Sequence, residues 1–251
     1  MTLSWDYSRH AQTYHDRPPY ADEAIDLIVA RTGLSEGDRV CDIGAGTGIL
    51  TESLASNGFL VDAVEPNDGM RHIGQERVAA KSSVTWHETC AERTGLPPDR
   101  YRLVTYGSSF NVVDTTASLI ETARILRPAG WFSCLWNHRD LDDPLQAEIE
   151  NLIRRRVRGY RYGSRRTDQK PVIRACGLYT EPIFFEASHV CRVQTHLWLS
   201  AWKSHATLAR QAGGDFDAII NEIAALVGTG ASTLDVPYTT RVYMAQLLDG
   251  M

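Results

Sequence analysis

The residues of this sequence best suited to chemistry are Asp42, the run Gly44-Ala45-Gly46-Thr47-Gly48, and Glu65. Glycines there let the backbone turn sharply and let a ligand approach main-chain N–H groups at close range. A carboxylate at the tip of the following strand is placed to accept both hydrogen bonds of a ribose diol. Together they predict a site for an adenosine-bearing cofactor, contacted by Asp42, Gly44, Ala45, Gly46, Gly48 and Glu65. The spacing separates cofactor classes. A dinucleotide turn wants G-x-G-x-x-G, and its last glycine is here replaced by Ile49.

These residues need a strand, a turn and a helix to hold them, and the apolar pattern supplies all three. Residues 39–43 form a short apolar strand running straight into the glycines, and 49–57 have helical periodicity ended by Asn57-Gly58. A second strand over 59–65 stops at Pro66, which cannot continue a ladder. The alternation continues with a helix over 68–80, strands over 84–89 and 101–106, a helix over 115–126, a turn at 127–130 and a strand over 131–136. A further helix over 21–31, with Gly33 at its C-cap, precedes the first strand. Such alternation implies a parallel sheet covered on both faces. Beyond Asn137 the texture changes. Helical patterns cover 143–160, 195–212 and 216–227, a strand pattern covers 183–193, and 236–247 offers a last strand or strand pair.

Length and composition bound the answer further. The 251 residues, 43% hydrophobic and 23% charged, are those of an ordinary globular protein with a sizeable core. We expect one domain over 1–251, with an N-terminal lid over 1–20 and helical cap insertions over 143–180 and 195–230. A net charge of −5 argues against nucleic acid or anionic membrane as a partner of the whole surface. The opening residues lack the blocks of a signal peptide, and no apolar run approaches the ~20 residues a bilayer requires, so the cytoplasm is the expected address. The five cysteines are scattered without a C-x-x-C pair and read as reduced thiols. No histidine spacing suits a metal, and no metal is expected.

The glycine turn in this form resembles the first motif of class I S-adenosylmethionine-dependent methyltransferases, and the resemblance runs from about residue 7 to 140. It is carried by Tyr14-His15-Asp16-Arg17-Pro18, the glycine turn, Val64-Glu65-Pro66-Asn67-Asp68-Gly69-Met70, the stretch from Cys90 to Pro97, Ser108-Ser109-Phe110-Asn111, and the stretch from Ala123 to Gly130. It implies a Rossmann-like, seven-stranded, mostly parallel α/β sheet with helices on both faces, the last strand antiparallel, and a helical cap that chooses a small-molecule acceptor. It further implies that Pro66, Met70, Cys90, Ala91, Glu92 and Ser108 line the cofactor, and that Tyr14 and Arg17 lie near its carboxylate. Many relatives have an aspartate where Cys90 stands.

Methyl transfer from a sulfonium is an in-line displacement governed largely by positioning and desolvation. Relatives commonly carry an aromatic followed by a histidine where this chain has Phe110-Asn111, and losing that base favours an amine acceptor over an oxygen. The resemblance places Phe110 on the methyl channel, with Tyr7 and Tyr14 capping it. His138 is the remaining base candidate, and Asp140 its partner or that of a cationic amine. The Ser108–Asn111 and Trp136–Asp140 stretches also look like those of antibiotic-tailoring N-methyltransferases, including the lincosamide group. The arginines between 154 and 166 sit above an apolar face of Ile149, Leu152, Ile153 and Val157, as a cover over a substrate cleft or a subunit interface of a homo-oligomer would. The expected reaction is N-methylation of a small specialised metabolite. Oxygen or carbon acceptors, an RNA substrate and non-catalytic cofactor binding stay open as alternatives.

Overall fold

A computed structural model describes Tyr14, residues 16–228 and residues 230–248. After helix α1 (Asp22–Thr32), the chain alternates β1 (Arg39–Ile43), α2 (Ile49–Ser56), β2 (Leu60–Val64), α3 (Asp68–Arg77), β3 (Val84–His87), β4 (Tyr101–Gly107), α4 (Thr115–Ile125) and β5 (Leu126–Arg139). The second half contributes α5 (Pro144–Arg156), α6 (Lys170–Cys176), β6 (Ile183–Gln194), α7 (Thr195–Trp202), α8 (Ala206–Ala212), α9 (Phe216–Val227) and β7 (Thr233–Gln246). The seven strands form one Rossmann-like sheet in the order β3-β2-β1-β4-β5-β7-β6. β1 to β5 pair in parallel, and β7 runs antiparallel to both β5 and β6.

Side chains alternate across the strands and so feed two layers. Val40, Leu103, Leu135 and Val242 join α1 and α2 in one core cluster; Cys41, Val104, Trp136 and Tyr243 join α4 and α6 in the other. A third cluster lies apart, built from α5, α7, α8 and α9 around Ile149, Ile153, Trp198, Leu208 and Ile219. It includes Cys191, Val236 and Tyr238, because β6 and β7 extend beyond the parallel strands into the helical layer. The last residues of β5, His138 and Arg139, pair with Thr239 and Tyr238 of β7 and carry the sheet into that layer.

Several boundaries differ from the sequence reading for physical reasons. The turn at 127–130 becomes a bulge within β5, where the register skips from Tyr101↔Leu126 to Leu103↔Trp131 and Ala129 takes a φ of 56°. The helix expected over 195–212 breaks into α7 and α8, since the His205 side chain accepts from Leu208 N and caps a new helix. The helix expected over 143–160 ends at Arg156, and the strand expected over 236–247 is a single long strand. No described helix is long and apolar enough to cross a membrane. All five cysteines are unpaired thiols, with Cys41, Cys134 and Cys191 buried.

Candidate functional site

The carboxyl edge of β1, β2 and β4 opens onto a cavity of ≈ 350 Å³. Gly44, Gly46 and Gly48 have φ of 68°, 57° and 77°, the left-handed region that disfavours a side chain. A Cβ at Gly44 would stand 2.4 Å from Cβ of Ser109, and one at Gly46 would press to 3.3 Å from Cε of Met70. The turn is therefore bare backbone by necessity. Gly44 N and Ala45 N donate to the carbonyl of Val64, tying the turn to the end of β2.

Glu65 follows directly on β2 and is 8% exposed. Its Oε2 accepts from Gly46 N at 2.9 Å and its Oε1 from Asn67 N at 2.8 Å. Burial raises its pKa, and those two N–H donors with Arg71 oppose the rise. Each oxygen keeps an acceptor lone pair for a diol. Asp42 is fully buried, with Oδ2 accepting from Thr51 Oγ1 at 2.7 Å and Oδ1 lacking a hydrogen-bond partner. Burial, with Glu65 nearby, lifts it to about 7. An orphaned buried acceptor on a cavity wall is a place for a ligand's donor.

The structure brings most sequence-predicted cofactor residues to this cavity. Asp42, Gly44, Ala45, Gly46, Glu65, Pro66, Met70, Cys90, Ala91, Glu92, Ser108 and Tyr14 all line it. Gly48 does not; it precedes α2 and packs against Gly74 of α3, where a Cβ would lie 3.3 Å from Cα. Arg17 does not either. Its guanidinium donates to Ser204 Oγ and to the Ser204 carbonyl at 3.0 and 2.9 Å, which draws it toward the helical layer and a second cavity.

That second cavity, of ≈ 150 Å³, lies between the sheet edge and α7. Trp136, Trp198, Trp202 and Tyr238 give it aromatic walls, and Arg17, Arg139, Arg165, Arg166, His138 and His205 give it cations and imidazoles. No aspartate or glutamate lines it among the described residues. Tyr14, Tyr20, Ile49 and Ser108 line both cavities and so mark where they meet. Tyr20 was not expected from the sequence, where only Pro18-Pro19-Tyr20 ahead of α1 could have drawn attention to it. Its hydroxyl shares a 2.9 Å hydrogen bond with Ser108 Oγ, and burial raises its pKa. Ser108 holds a φ of 59°, a strained state for a non-glycine residue of the kind that collects at working sites.

Three catalytic expectations change. Phe110 is fully buried and lines neither cavity. The short 3₁₀ turn Phe110–Val112 turns its ring into the core, 5.3 Å from Tyr106 and 5.2 Å from Phe132, and leaves Asn111 at the acceptor cavity. His138 does line that cavity, but burial and the charges of Arg166, Arg241 and Arg165 pull its imidazole down to about 3. A group so weakly basic is a poor general base at neutral pH. Asp140 lies off the cavity, with Oδ1 accepting from Asp142 N, so it is not the partner of His138. Tyr7 and most of the lid over 1–20 lie outside the described residues. Among the described residues no cluster of three or more His, Cys, Asp or Glu could hold a metal.

Sequence and fold comparisons agree with this geometry. Residues 41–134 match a family model described as a methyltransferase domain. Over 124 residues the chain is 36% identical to an uncharacterized methyltransferase of Mycobacterium tuberculosis, covering 49% of this chain and 48% of that protein. Over 97 residues it is 35% identical to demethylmenaquinone methyltransferase of Clavibacter sepedonicus, covering 38% and 39%. The chain thus spans about half the length, or less, of these curated relatives. Its fold is similar to Haemonchus contortus phosphoethanolamine N-methyltransferase 2, solved with phosphomonomethylethanolamine and S-adenosylhomocysteine, at a TM-score of 0.57 and 16% identity over 96% of this chain and 57% of that one. Residues 41–134, which hold the glycine turn, Glu65 and the Ser108 corner, are thus similar to a methyltransferase domain, and the sheet that carries them has the fold of a solved methyltransferase.

Proposed function

We propose that this protein transfers a methyl group from S-adenosylmethionine to an amine nitrogen of a small specialised metabolite. The observation that carries the reading is the meeting of the two cavities at Tyr20 and Ser108, one walled for an adenosyl cofactor and the other by aromatic rings. When bound, the cofactor supplies an electrophilic methyl on a cationic sulfur. Glu65 is assigned to accept from the ribose diol, and the bare backbone of Gly44–Gly46 to admit the amino-acid tail. Asp42 Oδ1 is assigned to accept from the ammonium of that tail, a donor that would also relieve its buried charge. Pro66, Met70, Cys90, Ala91 and Glu92 are assigned to pack the adenosine. Tyr14, Tyr20 and Ser108 then orient the acceptor and exclude water at the junction.

The amine reading rests on what the acceptor cavity contains. His138 and His205 are both held far below the ordinary histidine range, chiefly by burial, and no carboxylate stands among the described lining residues. The nucleophile must therefore arrive with its lone pair already free. Neighbouring guanidinium groups disfavour an ammonium and favour the neutral amine, which is the nucleophilic form. The same arginines support a second reading, in which an acidic oxygen enters already ionised. The test is a screen of amines and phenols for acceptor-dependent release of S-adenosylhomocysteine, with the methylated atom found by mass spectrometry. Turnover of phenols or carboxylic acids alone would replace the nitrogen with oxygen, and no turnover without cofactor binding would remove the methyltransferase reading.

A further inference from the structure

The acceptor cavity gathers positive charge with no acid among its described lining residues. Arg139 is spoken for: its Nη2 reaches Glu150 Oε2 at 2.8 Å, and it stacks 4.8 Å from the Trp202 ring. Among the described residues no carboxylate forms an ion pair with the other three arginines on the wall, although Glu150 acts on Arg166 through space. Among the described residues the Arg17 guanidinium donates to Ser204 alone, and it lies 4.1 Å over the Tyr14 ring. Arg165 Nη2 lies 3.1 Å from His205 Nε2, an imidazole whose pKa burial and the charge of Arg165 push well down. Arg166 lies 3.7 Å over the Tyr162 ring, which donates to Glu150, and that carboxylate acts on Arg166 only through space. Guanidinium groups cannot shed their protons to ease the crowding. Burial above all, and the like charges of Arg17, Arg166 and Arg139, pull even Arg165 down to about 10.

We infer that the small-molecule acceptor carries an anionic group, a carboxylate or a phosphate, seated between Arg165, Arg166 and Arg17, with its apolar body against Trp136, Trp198 and Trp202. An anion there supplies the direct ion pair that no described side chain gives Arg17, Arg165 or Arg166, and planar guanidinium forks suit both oxyanions. The tryptophan walls explain why the same cavity is not simply a phosphate cleft: they hold the uncharged part and leave the reacting atom toward the Tyr20–Ser108 junction. This inference rests on the methyltransferase reading for the meaning of the cavity, but not for its measurement.

Calorimetry on the full chain, with and without saturating S-adenosylhomocysteine, tests it using benzoate, phenyl phosphate and benzylamine as probes. Each anion that fits should bind about tenfold or more tightly than benzylamine, the value of one charge-assisted hydrogen bond. The stronger of the two names the group, carboxylate or phosphate. R165M and R166M should each remove that preference, R165K should restore part of it, and S-adenosylmethionine affinity should change little in all three. Benzylamine binding as tightly as both anions, or an anion preference surviving in R165M and R166M together, overturns the inference. Failure of S-adenosylhomocysteine to bind would instead sink the cofactor assignment, while the anion measurement on the ligand-free chain still stands.

Discussion

Tyr20 and Ser108 share a 2.9 Å hydrogen bond, and both line the cofactor cavity and the acceptor cavity. One residue lies just ahead of α1 and the other at the end of β4, so the bond ties the entry of the chain to the sheet edge where methyl transfer is proposed. Removing the hydroxyl in Tyr20→Phe should lower kcat/KM by about tenfold, the worth of a buried hydrogen bond in the transition state. Cofactor affinity measured by calorimetry should move by less. Equal losses in both would show that the bond shapes the cofactor cavity alone.

Glu65 makes the opposite prediction. Glu65→Ala should weaken S-adenosylmethionine binding by about tenfold to a hundredfold, since hydrogen bonds to a charged group are worth ~1.5–3 kcal/mol. Thermal stability of the ligand-free chain should also fall, because Gly46 N and Asn67 N lose their acceptor. Glu65→Gln, which keeps one carbonyl oxygen, should recover part of both. Unchanged affinity in Glu65→Ala would contradict the site.

Phe110 belongs to the core, so truncating it should be a stability defect. Phe110→Ala should cost about 3–5 kcal/mol in urea unfolding, the usual range for a large buried ring. In the folded fraction, KM for acceptor should stay near the wild-type value. A catalytic loss with an unchanged unfolding midpoint would return the ring to the methyl channel.

His138 gives a prediction in pH. Its folded pKa lies near 3, below the ordinary value of 6.5, so the folded state binds fewer protons than the unfolded chain between those values. Its stabilising contribution is full above pH 6.5 and is lost progressively as pH falls toward 3. Buried His205, also lowered, acts in the same direction. The melting temperature should therefore drop on acidification, and His138→Gln should flatten that drop. A pH–rate profile should show no ionisation of His138 near neutrality, and an acidic limb abolished by His138→Gln would restore it as a base.

What the sequence determined by itself was local and short in range. The glycine turn, its strand and helix, and Glu65 with Asp42 could be read because turn geometry and strand ends leave their mark within a few neighbouring residues. The alternation of strands and helices to Trp131 was legible for the same reason. The arginines between 154 and 166 read as a cover over a substrate cleft or a subunit interface, without showing which of them line a cavity, because periodicity records which residues are apolar and not what stands opposite them. Only the tertiary structure decided that Phe110 turns inward, that Arg17 bonds Ser204, and that Arg165 meets His205. It also joined Tyr20 to Ser108. Each of these depends on contacts between segments far apart in the chain, and packing rather than local preference sets where such side chains point.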